Sequence, residues 1–172
     1  MPRLLARLIL FALLLAPALP ALAADTLVIV VRHAEKAVEP GPDPALSDAG
    51  RARAERLAAV LADARITAAY STQFKRTRDT AAPAAKARGL EVRVHEAHPG
   101  QAEADAAALA AEIRDRHAGG TVLVVAHSNT VPAIVKGLAG IDVPAIADDE
   151  YDRLYVVTPG SAPRVVATTY GD

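Results

Sequence analysis

Leu27-Val28-Ile29-Val30-Val31-Arg32-His33-Ala34-Glu35-Lys36 is the stretch on which the reading of this chain turns. Its first five residues favour β structure and contain no polar side chain, the pattern of a strand buried on both faces within a parallel sheet. The run ends abruptly in a guanidinium and an imidazole, which such a strand delivers to its carboxyl end. In open α/β sheets that edge is where ligands bind. An isolated Arg-His pair is also what an ordinary strand end could present to solvent, so the rest of the chain decides between the two.

A second run of the same kind, Thr121-Val122-Leu123-Val124-Val125-Ala126, stops at His127-Ser128-Asn129-Thr130. A helix is expected there, with Pro132 tolerated in its first turn. Its N-terminus, pointing back at His127, is suited to an anion. Ile66 to Tyr70 reads as another strand, ending in Ser71-Thr72-Gln73-Phe74-Lys75-Arg76. The helix after it runs through Thr80 and Ala85 to Gly89, and Pro83 demands either a start near Thr80 or a kink. Leu90 to Val94 alternates apolar and charged residues, as an exposed edge strand does, and leads into His95-Glu96-Ala97-His98-Pro99-Gly100.

Upstream, Pro40-Gly41-Pro42-Asp43-Pro44 is a loop. Ser47 is the expected N-cap of a helix whose Ala54, Leu57, Ala58 and Leu61 recur at helical spacing. Another helix spans about Gln101 to His117, with Leu109 and Ile113 inward and Gly119-Gly120 ending it. Arg153–Thr158 and Arg164–Thr169, joined at Pro159-Gly160-Ser161, form a closing hairpin. Strands alternating with helices give a three-layer α/β/α sandwich with right-handed crossovers. Its parallel strands place Arg32, His33, Arg76, Glu96 and His127 on one edge of one sheet. Such convergence of cationic groups on buried strands points to a ligand.

Composition narrows the chemistry. With 172 residues, one domain is expected, and it can bury a full core. Hydrophobic residues make up 52% but aromatics only 3%, so Ala, Val, Leu and Ile must build that core. Few aromatics leave few stacking platforms for single-stranded nucleic acid, and a net charge of −1 offers no polyanion surface. No cysteine is present, which removes disulfides, thiolate catalysis and cysteine-based metal sites.

Residues 1–23 read as a signal peptide and 24–172 as the single folded domain. Arg3 and Arg7 precede an apolar Leu8–Leu15 core, Pro17 and Pro20 break it, and Ala21-Leu22-Ala23 is a small-residue cleavage pattern. Cleavage after Ala23 is favoured over a retained anchor, because the apolar stretch is short for a span and interrupted by proline. Without Arg3 and Arg7 the 19 basic residues become 17 against 20 acidic ones, a charge of −3. The mature protein is expected to be exported, periplasmic or secreted, with no membrane insertion.

Arg32-His33 after the first strand, Lys75-Arg76-Thr77 with Thr80-Ala81 after the second and His127 after the fourth resemble the histidine phosphatase superfamily, the phosphoglycerate mutase-like group. The resemblance spans about Thr26 to Tyr170. It departs in Ala34, where the usual motif is Arg-His-Gly, and in Ser128-Asn129, where many members carry glycine or an acidic aspartate. It implies a mostly parallel sheet with one antiparallel strand near the C-terminus. It also implies a phosphatase that acts on phosphomonoesters or phosphoramidates through a phosphohistidine on His33. A neutral imidazole is a competent nucleophile for this.

Arg32, Arg76 and His127 would hold the phosphoryl oxygens, with Ser128 and Asn129 beside them, and no metal or other cofactor is called for. Asp148-Asp149-Glu150 lacks a ligand set with histidine spacing. Glu96 is the positional match for the family's general acid. The antiparallel strand must begin at the active edge, so Asp148, Asp149 and Glu150 are rivals as acids or substrate selectors, and no acid at all is a further alternative. Lys36 could reach a substrate phosphate, while His95, His98 and His117 read as surface residues. The partner is a small phosphorylated substrate or a phosphoprotein. A mutase and a non-catalytic phosphate-binding module are the alternatives. The chain lacks the long insertions that would retain a bisphosphate, and keeping both histidines with both arginines argues for catalysis.

Overall fold

A computed structural model describes residues 25–171, so the signal peptide expected over 1–23 lies outside the described residues. The strands are β1 (Leu27–Arg32), β2 (Ala68–Ser71), β3 (Val92–Val94), β4 (Thr121–Ala126), β5 (Arg153–Thr158) and β6 (Arg164–Thr169). They form one sheet in the order β3-β2-β4-β1-β5-β6. The two uninterrupted apolar runs lie side by side: β1 pairs in parallel with β4 from Leu27 opposite Thr121 to Arg32 opposite Ala126. That register sets the following residues, His33 and His127, level with each other at the sheet's centre. β2 and β3 continue the parallel pairing outward from β4. β5 is antiparallel to both β1 and β6, so it alone opposes the common direction.

Among the described residues four helices cover the sheet: α1 (Asp48–Val60), α2 (Lys75–Lys86), α3 (Ala102–Arg116) and α4 (Val131–Ala139). Alternation along the strands decides which helix meets which residue. Val28, Val30, Val122 and Val124 pack on Leu109 and Ile113 of α3 and on Val131, Ile134 and Val135 of α4. Ile29, Val31, Leu123 and Val125 face the other way, onto Leu57 of α1 and Ala81, Ala84 and Ala85 of α2. Alanines on α2 let it lie close to the sheet, which suits a chain this poor in aromatics. The result is the expected three-layer sandwich. Among the described residues no helix is long and apolar enough to cross a membrane.

Helix ends fix the loops that carry the site. Ser47 caps α1, its Oγ accepting from Gly50 N at 3.0 Å. The Ser47 N–H donates to Glu35 O at 2.9 Å, tying that cap to the loop after β1. α2 starts at Lys75, not near Thr80, and continues through Pro83. Asp43 allows the early start by accepting the Lys75 N–H at 2.9 Å. Pro83 deprives the Asp79 carbonyl of its donor, but Asp79 is exposed and water can replace it.

Candidate active site

His33 leaves the end of β1 with its backbone N–H still bonded to Ala126 O at 2.9 Å, so its position is set by the sheet. Nδ1 lies 2.8 Å from Ala34 O. A carbonyl only accepts, so Nδ1 carries the hydrogen and Nε2 keeps its lone pair. Burial, aided by the charges of Arg76, Arg32 and Lys36, outweighs the Ala34 bond and pushes the pKa down to about 4. The ring is therefore neutral at neutral pH.

Ala34 replaces the customary glycine without strain. Its φ is not positive, and its side chain fills a small cluster with Leu46 and Ala54. The Ala34 N–H donates to Thr80 Oγ1 at 2.9 Å, and that hydroxyl donates to Arg76 O at 2.7 Å. One buried threonine thus couples the His33 loop to the helix bearing Arg76.

Arg32 is nearly buried. Its Nη1 donates to the carbonyls of Ala147 at 2.7 Å, Asp148 at 3.0 Å and Glu150 at 2.9 Å. Its guanidinium stacks 4.0 Å above the Tyr151 ring. Nε is buried without a partner among the described residues, an expensive state for a cation's donor unless a ligand meets it. Arg76 lies 4.5 Å over Phe74 and 3.7 Å from Asp43 Oδ1. His127 follows β4, its ring 5.3 Å from that of His33 and edge-on to it. Burial first, then His33 and the two arginines, lower its pKa to about 3.

These groups line a cavity of about 770 Å³, together with Lys36, Phe74, Ser128, Asn129, Asp148 and the 97–104 segment. Two neutral imidazoles and two guanidiniums on one wall suit a tetrahedral dianion: the cations neutralise its charge while an imidazole nitrogen approaches phosphorus. Residues 28–103 match the model of the histidine phosphatase superfamily, branch 1. Residues 28–103, which carry Arg32, His33 and Arg76, are thus a segment of the histidine phosphatase superfamily type.

Solved structures agree on the histidine phosphatase fold. The mycobacterial glucosyl-3-phosphoglycerate phosphatase, solved with VO3, superimposes with a TM-score of 0.66 at 19% identity, over 85% of this chain and 98% of that one. YhfR of Bacillus stearothermophilus gives 0.69 at 18%, over 84% and 98%. The protein histidine phosphatase SixA, solved with tungstate, gives 0.66 at 20%, over 84% and 97%. Curated protein sequences give no match.

Of the site residues expected from the sequence, Arg32, His33, Arg76, His127, Ser128 and Asn129 share the cavity, and Lys36 joins them. Glu96 does not line it. Its exposed carboxylate faces His98 Nε2 at 3.7 Å instead. Asp148 reaches the rim, Asp149 lies outside, and Glu150 is engaged by Arg153 Nε at 2.5 Å and by the Ala147 N–H at 3.3 Å. The segment's main contribution is its carbonyls, which grip Arg32. Glu103 in the first turn of α3 and His98, read as a surface residue, also border the cavity. Asp105 accepts from the His98 N–H at 2.6 Å and meets Nδ1 at 3.0 Å, which raises that imidazole's pKa. His95 and His117 bond elsewhere, to Asp105 O and the Tyr70 hydroxyl. Among the described residues no three His, Cys, Asp or Glu side chains are grouped to hold a metal.

Sequence reasoning passed over Tyr151, Asp43 and Thr72. A tyrosine following an acidic run, in a chain with four tyrosines, was an available signal for the first. The other two act through helix capping and a hydroxyl contact that no periodicity records.

Proposed function

We propose that this chain is a phosphatase that hydrolyses phosphomonoesters or phosphoramidates through a phosphohistidine on His33. The observation that carries the reading is the tautomer of His33: Nδ1–H is committed to Ala34 O at 2.8 Å, which leaves the lone pair on Nε2 of a ring that lines a cavity with Arg32 and Arg76. The Nε2 lone pair attacks phosphorus as the bond to the leaving atom breaks. Arg32 and Arg76 hold the three equatorial oxygens, where charge is spread in the transition state. Water then attacks the phosphohistidine, phosphate departs and the electron pair of the N–P bond returns to Nε2.

The cavity is open and wide for a single phosphoryl group, so it admits both small phosphorylated molecules and phosphorylated side chains. Solved relatives of this fold, named for a sugar-acid phosphate and for protein phosphohistidine, fit either class. Incubation with a labelled phosphodonor should yield an acid-labile, base-stable adduct on His33. His33→Asn should lower turnover by about three orders of magnitude or more. Label on a serine or threonine would overturn the assignment. Isomerisation of a phosphorylated acid without net phosphate release would make the chain a mutase.

A further inference from the structure

Behind His127 lies a line of hydroxyls that this scheme leaves unused. Thr72 and Thr77 are both buried. Thr77 Oγ1 lies 2.8 Å from Phe74 O and 3.2 Å from Thr72 O. Carbonyls only accept, so the one hydrogen of the Thr77 hydroxyl is committed to them. Towards Thr72 Oγ1, 2.8 Å away, Thr77 can offer only a lone pair. The Thr72 hydroxyl therefore donates to Thr77, and it must accept from His127 Nε2 at 3.0 Å. Every hydrogen in the line then has one acceptor. The neutral His127 ring carries its hydrogen on Nε2 and a lone pair on Nδ1. Among the described residues Nδ1 has no hydrogen-bond partner; it is not buried, and it belongs to a ring that borders the His33 cavity.

We infer that Thr72 and Thr77 are positioning residues that fix the Nε2–H tautomer of His127, so that Nδ1 receives the proton of the water that hydrolyses the phosphohistidine. The functional half rests on the phosphohistidine reading, whereas the tautomer is a property of the resting protein. In the hydrolytic step the water oxygen bonds to phosphorus. The N–P bond breaks with its electron pair returning to His33 Nε2, and one water proton passes to His127 Nδ1. Release of phosphate returns that proton to solvent. The same neutral ring would oppose the step in its other tautomer, because an Nδ1–H has no lone pair for the water. The effect resembles the wrong-tautomer defect of a catalytic histidine whose orienting partner is changed.

The test combines nitrogen NMR with kinetics. In the wild-type protein, His127 Nδ1 should give a pyridine-type signal and Nε2 a pyrrole-type one. Thr77→Val frees the Thr72 hydroxyl to donate to Nε2, so the two signals should exchange. Thr72→Ser keeps the hydroxyl and should keep the wild-type spectrum and rate. On an aryl phosphate, for which dephosphorylation limits turnover, Thr77→Val should lower kcat about tenfold or more. KM should fall in parallel, leaving kcat/KM unchanged, with phosphoenzyme accumulating. A purely structural role would lower kcat/KM instead. A wild-type ring with its hydrogen on Nδ1, or in both forms, overturns the inference whatever the variants do. An exchanged tautomer with unaltered kcat overturns the role of Nδ1. No phosphohistidine in the wild type, with the tautomer as stated, would count against the catalytic scheme and not against the positioning.

Discussion

In the proposed reaction His33 needs no help to attack, but an alkoxide leaving from phosphorus needs a proton, and the carboxyl that the spacing offers for this, Glu96, faces His98 outside the cavity. Aryl phosphates, acyl phosphates and phosphohistidine release their leaving group with less demand for that proton. The wild-type enzyme should therefore be much faster on aryl than on matched alkyl phosphates, and Glu96→Gln should change either rate by no more than about twofold, where a placed acid contributes about a hundredfold or more. Parallel kcat/KM measurements on the two ester classes decide it. A large loss confined to alkyl esters in Glu96→Gln would show that the loop carries its carboxylate into the cavity during turnover. Arg32, His33, Arg76 and His127 were legible because each follows an apolar run or opens a helix, and strand direction fixes where such residues end. Glu96 stands in a stretch between β3 and α3 with no periodicity, so nothing in its pattern told which way the side chain would turn. Tyr151 and the carbonyls of Ala147, Asp148 and Glu150 were illegible for another reason: a backbone acceptor looks the same in every residue.

Between elements, the closest approach that matters to the site is α1 against the loop after β1. A Cβ on Gly50 would stand 2.1 Å from Glu35 O, which is backbone and cannot rotate away. The same oxygen accepts the Ser47 N–H at 2.9 Å, and the Glu35 carboxylate pairs with Arg53 Nε at 2.9 and 3.0 Å. α1 thus grips the residue two places beyond His33 from several sides. Gly50→Ala improves helix propensity, yet the clash should dominate and cost about 1–3 kcal/mol, as overpacking does. The displaced loop should also lower turnover. Urea unfolding and phosphatase rates on the same preparation test both, and a stability within about 0.5 kcal/mol of wild type would mean that the helix can slide away. The pairing of β1 with β4 could be read from their matched apolar runs. The close contact at Gly50 could not, because a glycine early in a helix signals equally well a loose turn. The course of α2 through Pro83 was hidden for want of a view of Asp43, whose capping bond comes from 32 residues away in sequence.

For the molecule as a whole, holding two imidazoles neutral in a cationic pocket has a consequence for stability. His33 and His127 have pKa values of about 4 and about 3 when folded and return to about 6.5 when the chain unfolds. Between those values the unfolded chain binds protons that the folded one refuses. Stability therefore rises with pH through that window and is lost as pH falls through it, while above pH of about 7 neither state is protonated and the contribution is flat. Glu35 and Asp105, whose carboxyls are held below their usual range by Arg53 and by His98, act in the same direction. Only a comparison with a variant isolates the imidazoles. Going from pH of about 7 to about 5 crosses most of the unfolded titration of His33 and little of the folded one, a loss of about 2 kcal/mol at about 1.4 kcal/mol per pH unit. His33→Gln removes that titration, so its stability should fall less over the same interval, by about 1–2 kcal/mol. Urea unfolding of both proteins at the two pH values measures the difference directly. Parallel pH dependence in wild type and variant would mean that His33 titrates alike in both states, and that the folded pocket does not hold this imidazole free of protons.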